Sequence, residues 1–290
     1  MDHGNQHYVP SSYLKAWCDP DVPPHYEPYV WRIPKDGGEG QRRAPKNIFA
    51  EADFYTQHLP DGQRDLSLEH SLETLEGKFC QIRDTRIANR ERLKPEEKVF
   101  LCAFMDAMHF RTRVQRDAFQ KQWGHAHRVA EDLKQKLSAM TPKQRQEHRQ
   151  PRFLGETRGP SLTIDDIKRL ANKPIQHMLL PIIKADLPVL TQMNLCIFTN
   201  EDDVGFITSD HPCVWYDPNG GRRPTTLRAR TVEVTMPVSP NSLALLCWEK
   251  VPNYTNLTLL GVDDANALRQ RACDEYFVVR RNATKSVWFT

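Results

Sequence analysis

No apolar run in the 290 residues approaches the ~20 needed to cross a bilayer, and mean hydropathy is −0.65. The opening MDHGNQHYVP has no basic-then-apolar leader pattern. Both absences favour a soluble, cytoplasmic protein without a membrane partner. The seven cysteines, at 18, 80, 102, 196, 213, 247 and 273, are odd in number and contain no C-x-x-C pair. A structural zinc site needs short paired spacings, and a secreted scaffold needs a dense, even framework. Free thiols in a reducing compartment are therefore expected. There is no G-x-x-x-x-G-K-[ST], G-x-G-x-x-G, H-E-x-x-H or G-x-S-x-G. These gaps argue against a P-loop NTPase, a Rossmann dehydrogenase, a zincin and an α/β-hydrolase.

What is present is a charge segregation hidden by a net charge of +3. Residues 51–76 hold seven acids and one base, a balance of −6. Residues 77–150 hold 17 Lys and Arg against nine acids, a balance of +8. Either these stretches are solvated faces of adjacent helices that attract each other, or acids line a metal site while bases hold an anionic substrate such as nucleic acid.

Residues 1–60 are rich in proline and aromatics, which blocks long helices. Tyr29 to Ile33 alternates as a short strand. Leu68, Leu72, Leu75 and Phe79 lie on one helical face, with Ser67 as candidate N-cap and a reach to about Asn89. A second helix opens at Lys94-Pro95-Glu96-Glu97 and is expected to continue to about Met140. The stretch from Arg116 to Arg152 is strongly polar. Thr163-x-x-Asp166 is a capping box that opens a helix to about Ala185, bent or interrupted at Pro174 and Pro181. Beyond residue 188 come strand candidates at 195–199, 205–208, 232–236, 243–248 and 276–279, a turn at Asn219-Gly220 and a helix at 263–274. The expected fold is α+β: a helical middle (61–187) packed on a mixed, mainly antiparallel sheet from the β-rich region (188–290). The strand within 1–60 is a candidate to join that sheet, making 1–290 one domain.

Four constellations carry candidate chemistry. His7-Tyr8-Val9-Pro10 offers a histidine, either hydrogen-bonded for structure or acting as a general base or ligand. Glu69, Glu73 and Glu76 lie near one helix face, where a divalent cation or a facing arginine would relieve their repulsion. In His109-Phe110-Arg111-Thr112-Arg113, Arg111 lies on the apolar side with Phe104 and Met108. A buried arginine must find an anion. That anion is either the acidic stripe of the preceding helix or a substrate phosphate. Phe206 to Pro212 ends an apolar strand in polar residues: Asp210 as metal ligand, base or turn cap, supported by Ser209 or His211. Cys213 reads better as a small buried residue than as a nucleophile.

The segment His7 to Trp17 resembles the HYVPQ-x-YL+-x-F opening of a bacterial family catalogued as domain of unknown function 4238. The resemblance continues through Asn47 to Tyr55, Leu68-Glu69, Leu75-Glu76, Phe110 to Arg113, Phe206 to Pro212 and Pro237 to Pro240. Ser11-Ser12 stands where the family has Gln and an aromatic, and Trp17 where it has Phe. The family brings no established reaction. It does single out His7, Glu69, Glu76, Arg111 and Asp210, and it leaves Glu73 and Cys213 outside its pattern.

These residues frame two expectations. The first is a metal-dependent hydrolase of a phosphate-containing substrate, most naturally a nuclease, in a bacterial defence or toxin setting. Glu69, Glu76 and Asp210 would bind Mg²⁺ or Mn²⁺, with His7 and Arg111 catalytic and Arg113, Ser209 and His211 binding substrate. The second is a non-enzymatic binding or structural module in which the same residues form a buried Arg–Glu–His network.

Overall fold

The structure is a computed structural model that describes residues 5–23, 25–59, 61–147, 162–220 and 225–289. The first third is built of short pieces, as its prolines dictate: β1 (Asn5–His7), α1 (Ser11–Leu14), β2 (Val30–Pro34), β3 (Gln41–Arg43), β4 (Ala50–Ala52), β5 (Gln57–His58) and β6 (Arg64–Asp65). The helical middle follows with α2 (Ser67–Ile82), α3 (Pro95–Phe110), α4 (Arg113–Ala139), α5 (Pro142–Glu147), α6 (Ile164–Asn172) and α7 (Pro174–Leu190). The last third holds β7 (Asn194–Thr199), β8 (Thr208–Ser209), β9 (Val214–Tyr216), β10 (Glu233–Ser239), β11 (Ser242–Cys247), β12 (Tyr254–Asn256), α8 (Leu259–Ala272) and β13 (Tyr276–Val279). This is the expected α+β arrangement. No helix among the described residues is long and apolar enough to cross a membrane.

A five-stranded sheet runs β12-β7-β11-β10-β9, antiparallel apart from the parallel β12–β7 pair. A four-stranded antiparallel sheet runs β3-β2-β13-β8. The early strand β2 does join a C-terminal strand, with Trp31 opposite Val279. The strand expected over 205–208 shrinks to Thr208–Ser209, because Gly205 turns the chain. Its φ is +69°, and a Cβ there would sit 2.2 Å from the Pro240 carbonyl oxygen, so only glycine fits.

The helices obey the apolar periodicity, with four boundary corrections. In α2, Leu68, Leu72, Phe79 and Ile82 are buried. The side chain of Asp65, rather than Ser67, covers the start of this helix by accepting the Ser67 N–H at 2.9 Å. Regular α-helix ends at Ile82, and one π turn over Arg83–Ile87 carries the chain on. The helix from Lys94 does not continue to Met140. It breaks at Arg111 and Thr112, where Thr112 is extended (ψ 161°) and its hydroxyl accepts from Gln115 N at 3.4 Å, an N-cap for a new helix. The capping box at Thr163 and Asp166 forms as expected, but its helix stops at Asn172. Pro174 then starts α7, which runs to Leu190 with Pro181 and Pro188 inside it. The polar stretch expected to reach Arg152 passes beyond the described residues after Glu147.

α3 is the central helix, with Leu101 to Met108 buried without interruption. Phe104 stacks on Phe79 of α2 at 3.9 Å. Tyr13 packs against both rings and sends its hydroxyl to Pro237 O and Thr208 Oγ1, each at 2.7 Å. Trp17 Nε1 donates to Phe206 O at 2.8 Å. The two aromatics of the opening motif therefore peg α1 and the turn after it to both sheets. Such aromatics carry large buried area while their polar ends find partners.

Candidate functional site

Strand β1 runs along β4, with His7 opposite Ala50. The Gln6 side chain faces α2, and the His7 carbonyl faces Arg111 at the C-terminal end of α3. Arg111, at the break after α3, is 1% exposed. Its Nε donates to Tyr8 O at 3.0 Å, and its Nη2 donates to His7 O at 2.7 Å and to Glu76 Oε1 at 2.8 Å. The guanidinium lies over the Tyr55 ring at 5.5 Å, and the Tyr55 hydroxyl donates to the same His7 carbonyl at 3.1 Å. The Arg–Glu tie between the acidic helix and the next one thus forms, and it also fixes the N-terminal strand. Burial lowers the His7 pKa, so its imidazole is neutral at pH 7, with Nε2 3.2 Å from Lys46 O.

Glu69 stands two turns from Glu76 and has a different partner. Gln6, 3% exposed, donates from Nε2 to Glu69 Oε2 at 2.6 Å and to Thr56 Oγ1 at 3.0 Å, while its Oε1 accepts Tyr55 N at 2.6 Å. Sequence reasoning passed over Gln6. The signal lay in β1 itself: a polar residue whose side chain must point inward when its neighbours alternate outward. Glu73 is exposed, as its place outside the family pattern suggests.

Asp210 has a separate set of partners. It is 5% exposed, and its carboxylate accepts the backbone N–H groups of Asp274, Glu275 and Tyr276 at 2.8, 2.7 and 2.9 Å. It clasps the entry to β13. The Tyr8 phenol sits near Asp210 and Arg113, and burial pushes its pKa up to about 12, with the Asp210 charge acting in the same direction. Arg113 is half-exposed, 3.4 Å from Glu275 and 3.7 Å from Glu51, which also pairs with Arg116 at 2.5 Å. Tyr8 is therefore the hub between two halves. Its carbonyl serves Arg111, and its phenol faces Arg113 and Asp210.

Ser209 and His211 serve the same corner. Ser209 Oγ accepts His211 N at 3.1 Å, and His211 Nδ1 is 3.4 Å from Thr112 Oγ1. The His211 ring meets His109 edge-on at 5.3 Å, and His109 stacks on Trp215 at 4.4 Å. Burial pulls the pKa of His109 down to about 4 and that of His211 to about 3, so both are neutral near pH 7. Burial pushes the Cys213 thiol up, which removes thiolate chemistry there. Asp106, fully buried on α3, has no hydrogen-bond partner among the described residues for either oxygen. Burial, helped by the charge of Asp186, pushes it up to about 8.

The five residues singled out by sequence thus converge on one region but not on one point. His7, Glu76 and Arg111 touch. Glu69 joins through Gln6, and Asp210 is linked only by the effect of its charge on the Tyr8 phenol. Among the described residues no group of three or more His, Cys, Asp or Glu side chains is placed to hold a metal ion. The expected trio Glu69, Glu76 and Asp210 is not such a group, because each carboxylate is drawn to a different partner. The surroundings can neutralise charge, fix a strand and keep imidazoles uncharged.

No curated protein and no solved structure matches the chain. The family described as "Protein of unknown function (DUF4238)" matches over residues 5–255, and the chain belongs to that family.

Proposed function

We propose that the chain is a binding module in which the motif residues build the frame rather than carry out a reaction. One observation carries this reading. The groups a catalyst would offer are already engaged by the backbone: Arg111 by the carbonyls of His7 and Tyr8, and Asp210 by three N–H groups. A catalytic carboxylate or guanidinium needs free valence toward substrate. Breaking a buried ion pair leaves an uncompensated charge and is strongly destabilising. Glu76→Gln should therefore lower the melting temperature by several degrees. Wild-type protein should cleave neither DNA nor RNA in Mg²⁺ or Mn²⁺. Metal-dependent cleavage that Glu76→Gln abolishes without loss of stability would overturn the reading.

A second reading, the metal-dependent phosphodiesterase or nuclease, has its own observation. Arg111 Nη1 is buried with no acceptor among the described residues, beside the partly buried Glu76. A phosphate oxygen is a natural acceptor for that N–H. On this reading Glu69 and Glu76 hold the cation, and cleavage in the assay just described is the positive result.

A further inference from the structure

A second buried arginine lies away from the motif network. Arg269 on α8 is 1% exposed. Among the described residues its guanidinium bonds to one residue only: Nη1 to Thr235 O at 3.2 Å and Nη2 to Thr235 Oγ1 at 2.8 Å. Its Nε has no acceptor, and among the described residues no carboxylate lies within ion-pair distance. Burial pulls its pKa down to about 10, which still leaves it cationic at pH 7. Taking one unpaired charge out of water costs several kcal/mol even after relaxation. Arg111 solves this problem with Glu76, whereas Arg269 has no such partner.

Arg269 also borders an open cleft of about 480 Å³ between α8 and the five-stranded sheet. That volume lies within the range of small-molecule sites. Phe198, Leu243, Leu257 and Ala265 give it apolar walls, and Thr235 and Arg269 give it a polar end. Glu233, Asp264 and Arg271 border it as well. The two acids disfavour a polyanion such as a nucleic-acid backbone, so the charge accepted is a single small head.

We infer that this cleft binds a small organic oxyanion, a carboxylate or phosphate monoester on an apolar body, with Arg269 as the counter-ion for its head. The bidentate fork of a guanidinium matches both head groups. The apolar walls take the body, and the ligand supplies the negative charge the fold omits. This deepens the binding-module reading by naming what is bound, and it rests on that reading only in treating the ligand as bound rather than turned over. Nuclease activity would overturn that reading and leave this cleft untouched.

The test is calorimetric titration of the full chain with phenylacetate and phenyl phosphate, with benzyl alcohol as the neutral control. At least one of the two anions should bind, and benzyl alcohol should not. Arg269→Gln should weaken binding at least about tenfold, the loss of one charge-assisted contact. Because that variant alters a buried position, Gly261→Leu is the second probe. The three heavy atoms nearest a Cβ at Gly261, on the cleft wall, all belong to Leu257 and lie at 3.5 Å or more, so a larger side chain is accommodated there and narrows the cleft about two helical turns from Arg269. It should fold and lose binding. Binding of neither anion to wild type, equal binding of benzyl alcohol, or full affinity in Gly261→Leu would each overturn the assignment. The relative strength of the two anions then identifies the head group.

Discussion

Arg111 reaches Glu76 at 2.8 Å while giving its other engaged donors to the carbonyls of His7 and Tyr8. One side chain thus ties two helices and the first strand. Loss of the fork should be felt at all three. Arg111→Lys keeps the charge but cannot reach both carbonyls and the carboxylate. We expect it to cost about 3 kcal/mol, the lower end for broken buried pairs, because Glu76 is 19% exposed. Urea unfolding checks the value. A double-mutant cycle with Glu76→Gln should give a coupling above about 1 kcal/mol, and additive effects would deny the tie.

Asp210→Asn should be destabilising although it is nearly isosteric. Three N–H groups converge on one carboxylate. An amide offers one acceptor oxygen and turns its NH₂ toward a donor. An unsatisfied buried donor costs about 1–3 kcal/mol, so a loss of that size is expected, with faster hydrogen exchange at residues 274–276.

Asp106 sets a pH dependence. Its folded pKa of about 8 lies above the ordinary value near 3.8, so between these values the folded state holds a proton that the unfolded state has released. The stabilisation is full below pH ~4 and is lost as pH rises through about 8, at up to ~1.4 kcal/mol per pH unit. Asp106→Asn should remove this slope and raise the melting temperature more at pH 8 than at pH 5. His109 and His211 act in the opposite direction, since their folded pKa values of about 4 and about 3 lie below 6.5. Their contribution is lost as pH falls through that window, so wild-type melting should peak between the two limbs. Asp106→Asn should flatten the alkaline limb and, by removing the opposing slope, steepen the acid limb above pH ~4; an unchanged alkaline limb would refute the assignment.

Gly205→Ala should fold poorly. The residue has φ +69°, and its new methyl would lie 2.2 Å from Pro240 O. A Gly→Ala change that is incompatible with the native backbone destabilises by more than the ~1 kcal/mol gained at compatible sites. Thermal unfolding of the purified variant measures it.

Much of the fold could be read from period and punctuation. The face of α2, the start of α3 and the capping box at Thr163 are local patterns, and local patterns survive folding. The break at Arg111 was not legible that way. Phe110 to Arg113 continues a helical composition, and what ends the helix is tertiary: the carbonyls of residues 7 and 8 draw the Arg111 side chain, and Thr112 caps the next helix. The residue types named as a candidate site lie in one region of the fold, and a buried arginine did meet the acidic stripe. The carboxylates read as one metal set have separate partners, because backbone N–H groups and the Gln6 amide carry no sequence periodicity. Arg269 escaped for a related reason. Its helix looks ordinary in sequence, and only the sheet beneath it shows that no acid is waiting.

The pairing of β2 with β13 has a consequence for the order of assembly. Residues 30–34 pair locally with 41–43, but their other edge finds its partner only at 276–279, which also carries β8. Loops this long close slowly, because their entropy is lost before the contacts form. During synthesis the β2–β3 pair must wait, with one edge open, for nearly the whole chain to emerge. The helical middle can form meanwhile, so the four-stranded sheet is the last part to close. Tyr13 and Trp17, whose hydroxyl and indole partners all lie between residues 206 and 237, lock into place at that late stage.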